Sequence, residues 1–444
     1  MQKPDPVRPR YRQQRRSTVT RPRLYIALIA GLVLALAGCG GGGSTSSGPT
    51  EIAVWHGYQD TEGEVFKGLI DQYNSSHPDV SVSELYSSND LVLQKVLTAV
   101  RGGSAPDVAY MFGSWSPNIA QIPQVVDMST EVSKPDWKWD DFYQAERDAA
   151  TVGDKIVGVP ALVDNLAIVY NKKLFADAGI EPPNPNWTWD DFQSAAAKLT
   201  DPAKGQYGWL IPADGSEDTV WHYIPMLWEA GGDILSPDNT HAVFNSEAGV
   251  KALTVLQKMA VTDKSLYLDT TNENGPKLMN SGKVGMLVTG PWDLSQLSDI
   301  DYGVSVMPTF AGSSGGHQTI AGPDNWVVFD NGDKKKQAAI DFVKWLSAPE
   351  QVKAFSLGTG DLPIRTSVGQ DPQVLNKLNE NVPGTSTFVE NLSNVQKVRP
   401  TVEQYPEVSE ALGQAIVAVM LGKQQPAEAL NTAAAAADSA LAAK

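Results

Sequence analysis

From residue 51 onward, short apolar segments typical of strands alternate with segments whose apolar residues recur at helical spacing. Residues 52–55 predict a first strand, and the apolar positions within 65–73 predict a helix. A strand at 80–85, a helix over 92–100 and a strand at 107–112 follow. This βαβαβ order predicts a mostly parallel sheet with helices on both faces.

The alternation restarts after residue 160 and predicts a second α/β unit. The predicted strands are 166–170, 284–288 and 302–307, and the predicted helices lie near 190–199, 221–230 and 246–261. Beyond residue 333 the chain is predicted to be mainly helical, with helices at 334–346, 407–421 and 426–443.

Two segments of nearly the same sequence, WKWDDF at 137–142 and WTWDDF at 187–192, resemble helix starts. In each, an aspartate would cap backbone N–H groups and the tryptophans would pack at the entry of the helix. We therefore predict that a helix begins at both segments.

Charge and length limit the function classes. The 444 residues allow two or three domains, and the formal net charge of −16 has the wrong sign for binding nucleic acid. We therefore expect no nucleic-acid partner.

The basic side chains of the N-terminus precede an apolar run at residues 24–37, which is shorter than a usual membrane span. The sequence Leu36-Ala37-Gly38-Cys39 follows and resembles a bacterial lipobox, and Cys39 is the only cysteine. We expect residues 1–38 to be a lipoprotein signal peptide that directs export of the protein by the Sec or the twin-arginine route. Cys39 would carry the lipid, and residues 39–50 would form a Gly/Ser tether. The alternative is an ordinary membrane anchor with an incidental cysteine.

Most familiar catalytic and cofactor motifs are not found in the sequence. Residues 312–316 formally fit the GxSxG motif of serine hydrolases, but they lack the preceding strand and following helix that this motif needs. The five histidines form no HExxH motif, and neither a phosphate-binding GxxxxGK sequence nor a strand-bounded GxGxxG sequence occurs. We predict no cofactor, no metal and no catalytic residue. A glycoside hydrolase stays open as an alternative, because its two carboxylates can come from any part of a chain.

Aromatic and polar residues gather where strands end, and ligands of open parallel sheets bind at the carboxyl ends of strands. Indole rings match the apolar faces of sugars, and carboxylates, amides and guanidinium groups bond hydroxyls. The candidate ligand-binding residues on this ground are Trp55, His56, Asp60, Asp90, Trp115, Asp164, Asn165, Trp221, Trp292, Asp324, Asn325 and Trp326. The pattern does not say which of these tryptophans lie in a pocket and which in the core.

The order and spacing of several segments resemble the extracellular solute-binding proteins of carbohydrate ABC importers, the family that includes maltose-binding protein. The segments that carry the likeness are 159–160, 166–175, 187–189, 231–232, 282–292 and 302–308. The resemblance implies a two-lobed type II binding-protein fold with the ligand in the cleft. By the same likeness, lobe 1 would comprise 51–162 plus 322–358, and lobe 2 would comprise 163–321 plus 359–444. The chain would cross between the lobes near 160–165, 317–325 and 358–365.

The resemblance also assigns roles to individual residues. Trp292 matches the stacking tryptophan of a Gly-Pro-Trp motif, and Asp361 and Arg365 lie in a segment similar to Gly-Tyr-Leu-Pro-Val-Arg, where Asp361 replaces the tyrosine. It implies a monomeric, membrane-anchored, non-enzymatic binding protein outside the cytoplasm. Such a protein captures a mono- to oligosaccharide or polyol and delivers it to an ABC permease. Arg365 and Arg399 leave glycerol-3-phosphate or a glycerophosphodiester open as ligands.

Overall fold

The computed structural model describes residues 48–272, 274–297, 299–313 and 316–443, apart from the side chain of Asp90. The predicted signal peptide and Cys39, the predicted lipidation site, lie outside the described residues. Across the described ranges, no helix has both the length and the apolar character needed to cross a bilayer.

The strands fall close to their predicted positions and include several that the sequence pattern did not predict. They are β1 Thr50–His56, β2 Val80–Tyr86, β3 Val108–Phe112, β4 Thr151–Val152, β5 Lys155–Ile156, β6 Val159–Leu162, β7 Ala167–Asn171, β8 Tyr207–Pro212, β9 Leu266–Asp269, β10 Val284–Thr289, β11 Tyr302–Ser305 and β12 Asp324–Val328.

The helices occupy the connections between strands and most of the C-terminal part. They are α1 Asp60–Ser76, α2 Asn89–Arg101, α3 Ser116–Ala120, α4 Ser129–Val132, α5 Gln144–Ala149, α6 Lys172–Ala178, α7 Trp189–Leu199, α8 Glu217–Glu229, α9 Glu247–Gln257, α10 Gly275–Asn280, α11 Asp333–Leu346, α12 Pro349–Thr359, α13 Thr366–Gly369, α14 Pro372–Asn381, α15 Thr385–Asn391, α16 Tyr405–Met420 and α17 Pro426–Ala442.

Two five-stranded sheets organise the two lobes. The order is β2-β1-β3-β12-β6 in lobe 1 and β11-β7-β10-β8-β9 in lobe 2. In the first sheet only β12 runs against its neighbours, and in the second only β7 does. The prediction of mostly parallel sheets is confirmed for both lobes.

The two antiparallel strands are the first strands that the chain forms after passing from one lobe to the other. β7 follows the first passage, which leads out of lobe 1 between β6 and β7. β12 follows the second passage, which returns to lobe 1 between β11 and β12. A chain that enters at the carboxyl edge of a parallel sheet must run in the opposite direction through it. The first two passages therefore lie at the edges where the parallel strands of both lobes end.

A third passage leads from α15 to α16. Thr319 and Val395 form an isolated bridge beside it, and α16 packs against α8 of lobe 2. Before this passage, α14 packs against α12, which itself lies on α1 of lobe 1. The third passage thus runs over residues 392–404.

The two tryptophan motifs fold differently. Thr188 begins α7 in a capping box, since its hydroxyl accepts from Asp191 N at 3.3 Å and Asp191 Oδ2 accepts from Thr188 N at 2.9 Å. The prediction is wrong for the first motif, which forms only short 3₁₀ turns around Lys138 at φ 46°. The Asp141 carboxylate instead accepts a hydrogen bond from the backbone N of Ser367, in the first turn of α13.

Candidate functional site

A cavity of about 300 Å³ lies between the lobes, where the parallel strands of both sheets end. Its walls follow β1, β2 and β3 on one side and β8, β9 and β10 on the other. The lining residues are Gly57, Tyr58, Gln59, Asp60, Glu62, Ser88, Asn89, Tyr110, Phe112, Leu162, Asp164, Asp214, Glu217, Asp218, Trp221, Thr271, Asn272, Pro276, Trp292, Asp293, Gln296, Gly322, Asp324 and Arg399. The location agrees with the rule that ligands of parallel sheets bind at strand ends.

Lobe 2 contributes two tryptophans to the cavity. Trp292 follows β10 and is half-buried, so part of its ring faces the cavity. Trp221 lies on α8 and is only 7% exposed. The Arg399 guanidinium lies 4.5 Å from the centre of the Trp221 ring, which holds that ring in place.

Eight carboxyl groups line the cavity, and Arg399 is the only cationic side chain among its described lining residues. Arg399 Nη1 donates to Glu217 Oε1 at 2.8 Å, and Tyr405 and Ser409 also donate to the Glu217 carboxylate. Asp218 Oδ1 lies 3.3 Å from His222 Nδ1. The other six, Asp60, Glu62, Asp164, Asp214, Asp293 and Asp324, form no ion pair within the described part of the chain.

Two of these carboxyls stand on the passages between the lobes. Asp324, at the start of β12, accepts from Tyr110 Oη at 2.5 Å and from Gly113 N at 3.3 Å. Burial raises the pKa of Asp324 to about 7, although the Arg399 charge acts in the opposite direction. Asp164 precedes β7, and burial together with the charge of Asp324 raises its pKa well above the usual range.

Asp164 is 7% exposed, and its Oδ1 atom has no hydrogen-bond donor among the described residues. It lies against Gly322 of the second passage. A Cβ at Gly322 would be 2.4 Å from Asp164 Oδ1 and 3.0 Å from Trp221 Cη2. Only glycine fits there, so the two passages and Trp221 meet at the base of the cavity.

Glu62 and Asp361 form a second acidic pair beside the first passage. Leu362 bridges to Val163, which places the neighbouring Asp361 next to this passage. Burial and then the charge of Asp361 raise the pKa of Glu62 well above its usual range. Burial raises the pKa of Asp361 to about 6.

Among the predicted ligand-binding residues, the structure brings together in the cavity Asp60, Asp164, Trp221, Trp292 and Asp324. Asp361 lies behind the cavity wall, next to Glu62. The Asp90 side chain lies outside the described part of the structure.

The remaining predicted residues lie elsewhere in the fold. Trp55 and Trp115 pack on the other face of the first sheet, in the cluster that contains Val92. Trp326 stacks on Phe66 at 5.3 Å in the core.

Three predicted polar residues make structural contacts. His56 is buried, its Nδ1 accepts from Tyr58 N at 3.2 Å, and burial lowers its pKa to about 4. Asn165 and Asn325 bond backbone carbonyls of Phe388 and Ala149.

Arg365 is buried and donates to three backbone carbonyls, those of Ser347, Lys138 and Trp137. Its guanidinium therefore holds loops of lobe 1 together and does not reach the cavity.

Lobe 2 supplies residues that the sequence reasoning missed, above all Asp214, Thr271 and Asn272. They follow β8 and β9, which were not predicted as strands. The apolar run at 207–212, ended by Ala-Asp-Gly-Ser, is the signal that would have revealed β8. Within the described ranges, no group of three or more His, Cys, Asp or Glu residues is arranged to hold a metal ion.

A sequence profile of the family described as "Bacterial extracellular solute-binding protein" matches residues 59–353. A putative binding protein of Brucella abortus is 26% identical over 93% of this chain and 97% of its own length. The sn-glycerol-3-phosphate-binding periplasmic protein of Pectobacterium atrosepticum is 23% identical over 86% of this chain and 89% of its own length.

Among solved structures, the cyclic alpha-maltosyl-1,6-maltose binding protein from Arthrobacter globiformis superposes with a TM-score of 0.71. It is 29% identical, and the match covers 89% of this chain and 99% of that chain.

Proposed function

The chain belongs to the bacterial extracellular solute-binding proteins, and on this premise we propose that its cavity captures a mono- to oligosaccharide or polyol for delivery to an ABC permease. The observation that carries the proposal is the cavity itself, because strand ends of both lobes supply aromatic and hydrogen-bonding side chains to one space.

The chemistry of the cavity suits a polyhydroxylated ligand. The half-exposed ring of Trp292 offers an apolar face for the C–H face of a sugar ring. Carboxylates such as Asp60 and Asp214 accept hydrogen bonds from hydroxyls, and Asn89 and Asn272 add amide groups that both donate and accept.

Capture would be coupled to closure of the lobes. A ligand that contacts both walls only in the closed state shifts the open–closed equilibrium by its difference in affinity for the two states. The closed form would then be the one that the permease recognises.

Membrane attachment through a lipid on Cys39 is part of the proposal. Metabolic labelling with a palmitate analogue should tag the protein, and Cys39→Ala should abolish both the label and recovery with membranes. A labelled Cys39→Ala protein would contradict lipid attachment at this residue.

Glycerol-3-phosphate is the second candidate ligand, since the relative from Pectobacterium atrosepticum is a binder of this compound. The cavity offers a phosphate little positive charge. Arg399 already bonds Glu217, and Arg365 is buried among backbone carbonyls. The surrounding carboxylates would also repel an anion.

Isothermal titration of the purified protein against a panel of neutral saccharides, polyols and glycerol-3-phosphate tests the proposal. Trp292→Ala should weaken binding of the best saccharide at least tenfold. Trp55→Ala is the matched control, because Trp55 packs against the far face of the first sheet, and it should leave affinity unchanged. Binding of glycerol-3-phosphate alone, or an equal loss in both variants, would contradict the proposal.

A further inference from the structure

We propose that three buried side chains, those of Asn165, Thr319 and Asn391, lock the passages between the lobes into one rigid unit that belongs to lobe 2. They position the lobes for ligand capture, although none of them is among the described lining residues of the cavity. The inference rests on the proposed function and adds residues that govern affinity from outside the binding site.

Each of the three side chains belongs to, or borders, a different passage. Asn165 lies on the first passage, Thr319 lies on the second, and Asn391 ends α15, where the third passage begins. All three residues are at most 1% exposed. Water cannot reach side chains buried this completely, so their polar atoms need partners within the protein.

Hydrogen bonds of the two asparagines join the first passage to α15 and to the third passage. Asn391 Nδ2 donates to Asn165 Oδ1 at 2.7 Å and to the Leu166 carbonyl at 2.9 Å. Asn165 Nδ2 donates to the Phe388 carbonyl of α15 at 2.9 Å. Asn391 Oδ1 accepts from Asn394 Nδ2 at 2.9 Å. The first and third passages are thus held together by amide groups in both directions.

Thr319 joins the second passage to the other two. Its hydroxyl donates to the Leu166 carbonyl at 2.8 Å and accepts from Leu166 N at 3.1 Å. Its backbone N donates to the Asn394 carbonyl at 3.2 Å. We call the side chains of Asn165, Thr319, Asn391 and Asn394 the hinge network. A buried network whose donors and acceptors are matched in this way favours a single geometry.

The hinge network is attached to lobe 2. Leu166, which bonds both Thr319 and Asn391, immediately precedes β7. Farther along the third passage, Lys397 pairs with Asp233 at 2.9 Å and Arg399 pairs with Glu217 at 2.8 Å, and both acids belong to lobe 2. The passages therefore move with lobe 2 when the lobes turn relative to each other.

Bending of the first two passages is thereby confined to short segments. Ala321 bridges to Asn165, which extends the rigid unit to residue 321. Only residues 163–164 and 322–323 then separate this unit from β6 and β12 of lobe 1. Hinges commonly consist of a few such residues.

Loss of the network should weaken ligand binding. If the passages can bend over longer stretches, the unliganded lobes sample more orientations. A ligand that needs one orientation must then remove this freedom when it binds, and its affinity falls.

The first measurement is the distance between the lobes without ligand. Lys95→Cys on α2 of lobe 1 and Lys277→Cys on α10 of lobe 2 supply exposed sites for spin labels. Cys39→Ala removes the only natural cysteine. Thr319→Val keeps the shape of the side chain and removes its hydroxyl. In electron–electron double resonance it should broaden the distribution of distances between the two labels.

The second measurement is affinity. By isothermal titration, Thr319→Val should bind the best saccharide at least fivefold more weakly than the wild type. Thr319→Ser, which keeps the hydroxyl, should restore both the distances and the affinity.

Thr200→Val is the matched control. The Thr200 hydroxyl also donates to a carbonyl, that of Ala196 at 2.8 Å, and accepts from a backbone N, that of Gly208 at 3.1 Å. These contacts lie within lobe 2, so the variant should keep the wild-type distances and affinity. Wild-type distances or affinity in Thr319→Val, or an equal change in Thr200→Val, would overturn the proposal.

A milder variant decides the question if Thr319→Val does not fold. Asn394→Ala removes the donor to Asn391 Oδ1 from a half-buried position and should change distances and affinity in the same direction. Its control is Asn74→Ala, since Asn74 bonds Val82 within lobe 1. Wild-type behaviour of Asn394→Ala would contradict the role of the network.

The outcomes separate the two proposals. If Thr319→Val has wild-type distances and affinity, the role of the hinge network is rejected and saccharide capture stands. If the wild type binds no saccharide or polyol, saccharide capture is rejected, and the distances alone decide on the hinge network.

Discussion

The ring of Trp292 folds over Gly290 and occupies the space that a side chain at Gly290 would need. A Cβ at that position would lie 1.8 Å from Cζ3 of the Trp292 ring. Gly290 itself has φ −101°, a conformation that any residue adopts. The glycine is thus required for the placement of the ring and not for the backbone.

Gly290→Ala should therefore displace Trp292 and weaken ligand binding at least tenfold, with little change in the backbone. Calorimetric titration with the saccharide identified for the wild type measures this effect. Gly68→Ala is the control. No atom lies within 4 Å of a Cβ at this helical position, so affinity should stay unchanged and stability should rise by about 0.5–1 kcal/mol. Wild-type affinity in Gly290→Ala would contradict the role given to the ring.

The buried ion pair between Arg399 and Glu217 should be strongly coupled. Arg399→Met leaves the Glu217 carboxylate buried without its cation, and we expect the free energy of unfolding to fall by about 3–5 kcal/mol. Adding Glu217→Gln should restore part of this loss. Urea denaturation measures both effects.

The control for this pair lies in the same passage. Lys397 and Asp233 form a half-exposed ion pair at 2.9 Å, so Lys397→Met should cost less than about 1 kcal/mol. Equal losses of unfolding free energy in Lys397→Met and Arg399→Met would show that burial does not increase the contribution of the ion pair to stability.

Stability of the ligand-free protein should fall as pH rises from about 4 to 7. Burial raises the pKa of Asp324 from its usual 3.8 to about 7. Between these values the folded state holds a proton that the unfolded chain has released, so raising the pH favours unfolding. Asp293 and Asp361, each with a pKa raised by burial to about 6, act in the same direction. The buried His56, whose pKa is lowered from 6.5 to about 4, offsets part of this fall.

Asp324→Asn should reduce the loss of unfolding free energy between pH 4 and 7 by roughly 2–4 kcal/mol. Urea denaturation at several pH values measures it. The control Asp238→Asn removes an exposed carboxylate whose pKa is lowered to about 2 by hydrogen bonds from Ser236 and Thr240. Its removal should lower stability by a constant amount above pH 4 and change the slope only below pH 4. An unaltered slope in Asp324→Asn would exclude Asp324 as its source.

The capping box at α7 gives a local test of the sequence reasoning. Thr188→Ala removes the acceptor for Asp191 N and should lower stability by about 1 kcal/mol. Thr254→Ala, in the middle of α9 where the hydroxyl bonds only the Val250 carbonyl, should change stability by less than 0.5 kcal/mol. Thermal unfolding of both variants measures the difference, and equal melting temperatures would contradict the capping role.

Periodicity predicted β1, α1, β2, α2 and β3 of lobe 1 because each has a clear apolar pattern. It missed β8 and β9 in lobe 2, and with them the cavity residues that follow those strands. Whether a strand-end residue reaches the cavity depends on the next backbone turn. Trp55 ends on the far face of the sheet, whereas Asp60, five residues later, lies in the cavity wall.

Contacts between distant segments were the least predictable. Arg399 reaches Glu217 and Trp221 from the third passage, and no local pattern links these residues. The same holds for Gly322. Its position requires a glycine only because Asp164 and Trp221 lie against it in the folded chain.

The entry of the chain into each lobe at the cavity edge has a consequence for engineering. Loops such as the one after β1 or β8 belong to a single lobe and can be exchanged as independent modules. Asp164 and Asp324 belong to the connections that both lobes share. We expect a substitution at either residue, made to change the cargo, to shift the open–closed equilibrium of the lobes as well, so selectivity and closure must be redesigned together.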